Sequence, residues 1–397
     1  MTGISSLGTA LQQIELIQSQ QIRLSDLSTQ LATGQRTQEL SGLGTDFLAS
    51  NRARVDIRTI ETYQSNIIQA DTRIEQMLRS IEEFQAQAEN FADALAGFTA
   101  QGGHQRGETV FFDDPLTPEV ENIAVGSTSS EPDVDFAALI DLADNLFEFA
   151  GDLLNTRQGG RYVFGGAERQ EPPFNNNGVL DAAVSTLVTA WKGGTISTEE
   201  LIADFRDRSA TDGNPDALSD SVIGYSAALS SGEVRDVFVR VDDTVEVNYT
   251  ALANESGFRD VIAALSFFRN ENTPPILDAY ETTTFPGAPD VNGAPGTTNE
   301  EQQDNFFQVF GELSNLVTVA LDEIDQTRFR LETARVQISE TNERHRQEVA
   351  LFNKIIVDIE EADINEVAIQ INALQLNLNA SLTITSRIQQ LSLVNFI

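Results

Sequence analysis

Two long heptad frames, one towards each end of the chain, restrict its possible folds more than any other feature. From Ile60, residues recur in alternating steps of three and four: Ile60, Tyr63, Ile67, Ala70, Ile74, Met77, Ile81, Phe84, Ala88, Phe91, Leu95 and Phe98. Every one is apolar, although only 40% of the chain is hydrophobic. Chance would fill one fixed frame this way on the order of once in 10⁵. A second frame runs from Phe306 through Phe310, Leu313, Val317, Ala320, Ile324, Leu331, Ala334, Ile338, Phe352, Ile355 and Ile359 to Ala362, with Thr327, Thr341, His345 and Glu348 as its polar members. A 3.5-residue repeat holds helices side by side in a left-handed supercoil. Each stripe needs a surface to bury against, and each is the other's best candidate. The expected fold is therefore mainly α, with long N- and C-terminal helices paired in a coiled-coil bundle and an α+β or β domain inserted between them. Such a design needs no active site.

Composition points the same way. At 397 residues the chain is long enough for two or three domains. Its net charge of −36 is spread along the sequence, which argues against nucleic acid or an anionic membrane surface as partner. It would also keep a concentrated subunit soluble. The absence of cysteine removes disulfides, thiolate metal sites and a cysteine nucleophile. No apolar run approaches the length of a membrane span, so no membrane insertion is expected. The first basic residue is Arg23, so the N-terminus lacks the n-region of a cleaved signal peptide.

Outside the two frames the pattern changes several times. Residues 1–45 carry a thinner stripe (Leu7, Ala10, Ile14, Ile17, Gln21, Leu24, Ser28, Leu31), ended by Thr33-Gly34-Gln35-Arg36. Such a helix is marginal alone and needs partners. Pro132 and Asp133 are placed to start a helix that Phe136 to Leu154 continue, followed by a short strand in residues 159–166 bracketed by glycine pairs. Between 172 and 300, alternation over residues 237–249 predicts a hairpin around Asp242-Asp243, and a helix follows Gly257. The C-terminal segment presents Ile364, Val367, Ile371, Leu374, Leu378 and Ile388, then the apolar end containing Leu391, Leu393, Phe396 and Ile397. Apolar ends must be buried somewhere, here against residues 7–31 or against neighbouring subunits. Three regions are expected: 1–45 with 364–397 as terminal assembly helices, 46–171 with 301–363 as a helical bundle with a short hairpin, and 172–300 as an outer β-containing domain.

Three stretches resemble the flagellin superfamily, and within it the hook-associated proteins of the hook–filament junction. Residues 27–36, Leu-Ser-Thr-Gln-Leu-Ala-Thr-Gly-Gln-Arg, are similar to the stretch that ends the first helix in that family. Gly160-Arg161-Tyr162-Val163-Phe164-Gly165-Gly166 followed by Pro172-Pro173-Phe174 resembles a segment more typical of the junction branch than of flagellin itself. Residues 374–376 running to 391–397 resemble the junction branch's C-terminal end. Residues 38–46 depart from the Asn- and Asp-containing stretch usual after the Gly-x-Arg stop. The resemblance implies export without a cleaved signal peptide through the flagellar type III apparatus, and an extracellular place in the flagellum. It implies helical self-assembly, with a neighbouring hook-associated protein, flagellin and an export chaperone as partners. The assembly interface would comprise Leu7, Ile14, Ile17, Leu24, Leu31, Ile371, Leu374, Leu378, Ile388, Leu393, Phe396 and Ile397. No cofactor is implied.

Other readings stay open: the filament subunit itself, a non-flagellar secreted coiled-coil protein, or an enzyme hidden in residues 175–300. The last has neither of the chain's two histidines and no cysteine in that region, so no nucleophile–base set suggests itself. His345 beside Glu348 reads as a hydrogen-bonded interior histidine or as a pH switch. His104 lacks ligand partners nearby in sequence. Asp113-Asp114 and Asp242-Asp243 read as loop and turn residues more readily than as calcium ligands. The glycine pairs around residues 161–164 lack the Lys-Ser/Thr and strand-to-helix context of a phosphate loop.

Overall fold

A computed structural model describes residues 2–105, 136–192, 194–209, 216–270 and 299–394. His104 lies at the end of the second helix, whereas Asp113, Asp114, Pro132, Asp133, Phe396 and Ile397 fall outside the described residues. The elements in chain order are α1 (Thr2–Thr33), α2 (Asp46–Gln105), α3 (Phe136–Leu154), β1 (Arg157–Gln158), β2 (Arg161–Tyr162), α4 (Val179–Lys192), α5 (Thr198–Arg206), α6 (Asp220–Ile223), α7 (Ala227–Ser231), β3 (Phe238–Arg240), β4 (Glu246–Asn248), α8 (Ser256–Arg269), α9 (Asn299–Glu360) and α10 (Ile364–Val394). They form two compact units: Met1–Ser65 with Thr341–Ile397, and Asn66–Glu340.

The heptad frames become α2 and α9. From Ile67 to Leu95 every frame residue of α2 is buried, as is every frame residue of α9 from Phe310 to His345. In the second unit Arg335 Nε bonds Asp71 at 2.8 Å, and Gln85 Nε2 bonds Asp325 at 3.1 Å. In the first unit the Tyr63 and His345 rings stack 6.0 Å apart, and Arg54 Nη2 meets Glu360 at 2.6 Å. Within each unit one number rises as the other falls, so the helices run antiparallel. His345 is interior, 2% exposed, with Nδ1 3.3 Å from Glu348.

The centre of the second unit is α8, in which residues 257–268 are buried without interruption. A helix that is apolar around most of its circumference belongs inside a core. Phe258 packs edge-on to Phe84 of α2 at 5.1 Å, and Phe268 does the same to Phe91 at 5.3 Å. Phe268 also packs on Phe310 of α9 at 5.5 Å, and α3, α4 and α5 pack around the remaining faces. Each such ring removes about 1.5–3 kcal/mol of apolar surface cost from water. Gly257 sets the α8–α9 spacing. A Cβ there would lie 2.6 Å from the Ala320 carbonyl oxygen and 2.9 Å from the Ile324 nitrogen.

The inserted segment takes the α+β alternative. It contains α4 to α8 and one hairpin, β3–β4, whose antiparallel register pairs Val239 with Val247 around the expected turn. The glycine-bracketed stretch is also a hairpin, β1–β2, with Arg157 opposite Tyr162. Its continuation enters the core: Val163 and Phe164 are buried, and the Ala253 N–H donates to the Phe164 carbonyl at 3.0 Å. Phe174 is fixed by reciprocal bonds with the Asn155 side-chain amide, and its backbone bridges to Tyr225.

One buried cation organises the short helices. Arg259, 1% exposed, donates to the carbonyls of Phe205 and Arg206 at 2.9 Å, to that of Asp207 at 2.7 Å and to that of Leu218. The first two are at the C-terminal end of α5, where unpaired carbonyls and the helix dipole favour a positive charge. Its Nε also reaches Asp220 at 3.2 Å. The neighbouring Asp260 is buried too, and burial pushes its carboxyl up to about 6 against the pull of Arg206, 3.2 Å away, and Arg259. The unfolded chain loses that proton near 3.8, whereas the folded chain keeps it to about 6. This group therefore costs stability as pH rises through that window, by up to about 3 kcal/mol. Replacing Asp260 by Asn removes the titration while keeping the shape. The unfolding free energy of Asp260→Asn minus that of the parent, from urea melts, should rise from pH 4 to pH 7 and then level off. A constant difference would refute this assignment.

Candidate assembly surface

The terminal helices form the first unit's other layer, with α1 packed along α10. The segment before α1's end is stopped by Gly34, which takes φ +70 and returns its N–H to the Gln30 carbonyl at 2.8 Å. The Arg36 N–H then donates to the Glu360 carbonyl at 2.8 Å, and the Ala362 N–H donates to the Gly34 carbonyl at 2.9 Å. The break after α1 and the break after α9 are thus stapled together. The Glu360 side chain completes the staple, accepting from Ser50 and, at 2.6 Å, from Arg54. Burial alone would raise this carboxyl. Hydrogen bonds from Arg54 and Ser50, with the Arg54 charge, hold it below its ordinary value. Asp363 starts α10 by accepting from the N–H groups of Asn365 and Glu366 at 2.9 and 3.2 Å.

Ile17 and Leu24 of α1 are half-buried and Leu27 is buried, whereas Ile14 and Leu31 are exposed. The buried stripe is therefore Gln13, Ile17, Gln20, Leu24 and Leu27. It shares Ile17 and Leu24 with the sequence-based stripe but completes the heptad as four-then-three. This phase buries Leu27 where the other would bury Ser28, but it also half-buries Gln13 in place of Ile14, so composition alone does not choose it. Gln20 Oε1 is left buried without a partner. On α10, Val367 and Leu378 are buried and Ile371 and Leu374 half-buried, one stripe on one face. Leu7 lies on α1, and Ile388 and Leu393 lie on α10.

A second stripe on α10 was not read from the sequence. Ile369, Ala373, Leu376, Ala380 and Ile384 follow steps of four, three, four and four on the opposite face. Ile369 is 68% exposed and Leu376 71%. Leu11 and Ile22 of α1 are likewise exposed. The signal was available as the alternation Leu374-Gln375-Leu376-Asn377-Leu378, which puts leucines on both sides of a helix. Charge is sparse here: α10 carries only Glu366 and Arg387, and α1 only Glu15, Arg23 and Asp26. In a chain of net charge −36, the terminal helices are thus nearly neutral. Copies could approach along them without the repulsion the rest of the chain would impose.

Residues 315–397, from the latter part of α9 to the C-terminus, match the family model of the bacterial flagellin C-terminal helical region. This match supports the flagellin superfamily for the C-terminal segment, from within α9 through α10. No curated protein matches the chain. Among the described residues, no helix is long and apolar enough to cross a membrane.

The staple makes a direct prediction. Glu360→Ala leaves Arg54 and Ser50 without their acceptor and should cost about 1–3 kcal/mol. Trypsin should cut after Arg36 several-fold faster than in the parent chain. Unchanged cleavage and an unchanged urea midpoint would show that the staple does not hold the two breaks.

Proposed function

We propose that this chain is a structural subunit of the bacterial flagellum, assembled helically through its terminal helices, and that it forms the junction between hook and filament. The observation that carries the assembly reading is the two-faced α10. It lies in the segment matched to the flagellin C-terminal region, one apolar stripe is closed against α1, and the opposite stripe is open. An open heptad stripe on a nearly uncharged helix is what a neighbouring subunit would cover. A repeated, heterologous contact of this kind builds a tube instead of a closed ring. Residues 1–45 and 364–397 are the assembly segments in this reading, with Leu7, Ile14, Leu31, Ile388, Leu393, Phe396 and Ile397 joining the open stripe at the subunit contacts.

The junction role is supported by the stretches at 160–174 and 391–397, which resemble the junction branch. Its partners would be a neighbouring hook-associated protein, flagellin and an export chaperone, and its route out of the cell the flagellar type III apparatus. The filament subunit is the second reading, because a flagellin C-terminal region fits it equally well. Neither role needs catalysis. In either case Leu376→Asp with Ile369→Asp should abolish assembly while leaving the circular dichroism and thermal midpoint of the monomer near those of the parent. Incubation with isolated hooks and with sheared filament seeds, viewed by negative-stain electron microscopy, distinguishes the readings. Short collars on hook ends are expected for a junction protein. Long filaments of this chain alone would overturn that role, and growth by the double variant would overturn the interface.

A further inference from the structure

Apart from its termini, the second unit holds a cleft of about 620 Å³ between α2, the β1–β2 hairpin and the β3–β4 hairpin. Four arginines line it, Arg73, Arg161, Arg169 and Arg240, and no aspartate or glutamate does. This runs against the chain as a whole, in which acidic residues outnumber basic ones by 61 to 25. Most other arginines of this unit are matched with carboxylates, among them Arg206 with Asp260, Arg259 with Asp220, Arg269 with Asp144, Arg330 with Glu255 and Arg335 with Asp71. None of the four cleft arginines forms an ion pair among the described residues.

Arg73 gives the cleft its depth. It is 6% exposed, its Nη2 donates to the carbonyls of Tyr162 and Val163 at 3.2 and 3.1 Å, and its Nε is buried with no partner. Burial first, and then the charge of Arg169 with that of Arg161 adding, lower its guanidinium to about 10, against an opposing contribution from Tyr249. A buried cation with an unused donor, surrounded by like charge, is costly unless an anion supplies the missing partner. Arg169 Nε is held by the Gly166 carbonyl at 3.1 Å, and Arg240 is held by the carbonyls of Asp242 and Asp243. Their guanidinium groups are thus positioned before any ligand arrives, and Arg161 is exposed at the hairpin turn.

We propose that this cleft binds an organic anion bearing two or more carboxylate or phosphate groups on a compact carbon frame. Several guanidinium groups suit such groups because each presents a planar fork of donors. The volume falls in the range of small-molecule sites and exceeds what a single inorganic ion would fill. Ile68 and Phe238 line the same cleft, 60% and 53% exposed, and offer apolar surface to the carbon frame. The site is independent of the flagellar assignment, since it uses none of the terminal residues.

The test uses the full chain at low salt, with citrate, fructose 1,6-bisphosphate and inorganic phosphate as probes in calorimetric titration and thermal melts. Citrate or the bisphosphate should bind and raise the melting temperature, about tenfold more tightly than inorganic phosphate. Arg161→Ala should weaken that binding about tenfold, the effect of losing one charge-assisted hydrogen bond. Because Arg161 is exposed, the variant should fold as the parent does, which circular dichroism checks. Arg346→Ala, the same charge change in the other unit, should bind as the parent does. Absence of binding by both organic probes overturns the proposal, as does equal weakening by the two variants, which would mean unspecific attraction to arginine. Salt-sensitive self-association lost in Arg161→Ala, with neither probe binding, would assign the cleft to acidic side chains of a second copy and overturn it as a small-molecule site.

Discussion

The antiparallel seam between α2 and α9 is the constraint on which the other packing depends. Two stripes of matched 3.5-residue period, more than two hundred residues apart in sequence, are buried along most of their length, and within each unit side-chain contacts hold the two helices side by side. The long intervening chain must therefore leave one helix and return to the other. Ion pairs and amide contacts at Asp71, Gln85 and Arg54 fix the register, while the frame residues supply the burial. Surface pairs such as Arg335 with Asp71 are worth little by themselves. Their use is to select one alignment among several that a heptad repeat allows.

Within the second unit, the seam leaves a trough that α8 fills, and the chemistry of α8 explains its neighbours. A helix buried on all sides cannot carry an unpaired cation, so Arg259 collects the carbonyls at the end of α5 and the carboxylate of Asp220. The same contacts tie down α5 and α6, which are too short to be stable alone. The hairpin at 157–162 and the segment through Phe174 do comparable work nearer α2 and α3. The glycine-bracketed motif is thus part of the core's construction.

Long, strongly periodic elements were legible in the sequence. Both frames, the helix from Phe136, the turn at Asp242-Asp243 and the helix after Gly257 could be read from spacing and punctuation. The short helices α5 to α7 were not, since α5 and α6 are held by tertiary bonds to Arg259 in place of a period of their own, whereas α4 carries a helical stripe in Leu180, Val184, Leu187, Val188 and Trp191 that the sequence does display. The face of α1 was half legible: Ile17 and Leu24 belong to either heptad phase, and the gain of Leu27 over Ser28 is offset by Gln13 in place of Ile14, so composition does not decide. The arginine cleft was invisible, since Arg73, Arg161, Arg169 and Arg240 lie on separate elements that only the fold brings together.

The terminal helices are built on a different principle from the seam. They are nearly uncharged, bury one face each against the other and leave Ile369, Leu376, Leu11 and Ile22 in water. In the proposed assembly, neighbours would cover the open stripe and add stability that a single chain lacks. The most direct measurement is amide hydrogen exchange by mass spectrometry on the monomer and on the assembled form. Residues 11–31 and 364–384 should exchange at least about tenfold faster in the monomer, with residues 67–95 and 310–338 equally protected in both. Equal protection of the terminal helices in the two forms would contradict the account, since it would mean that assembly covers some other surface.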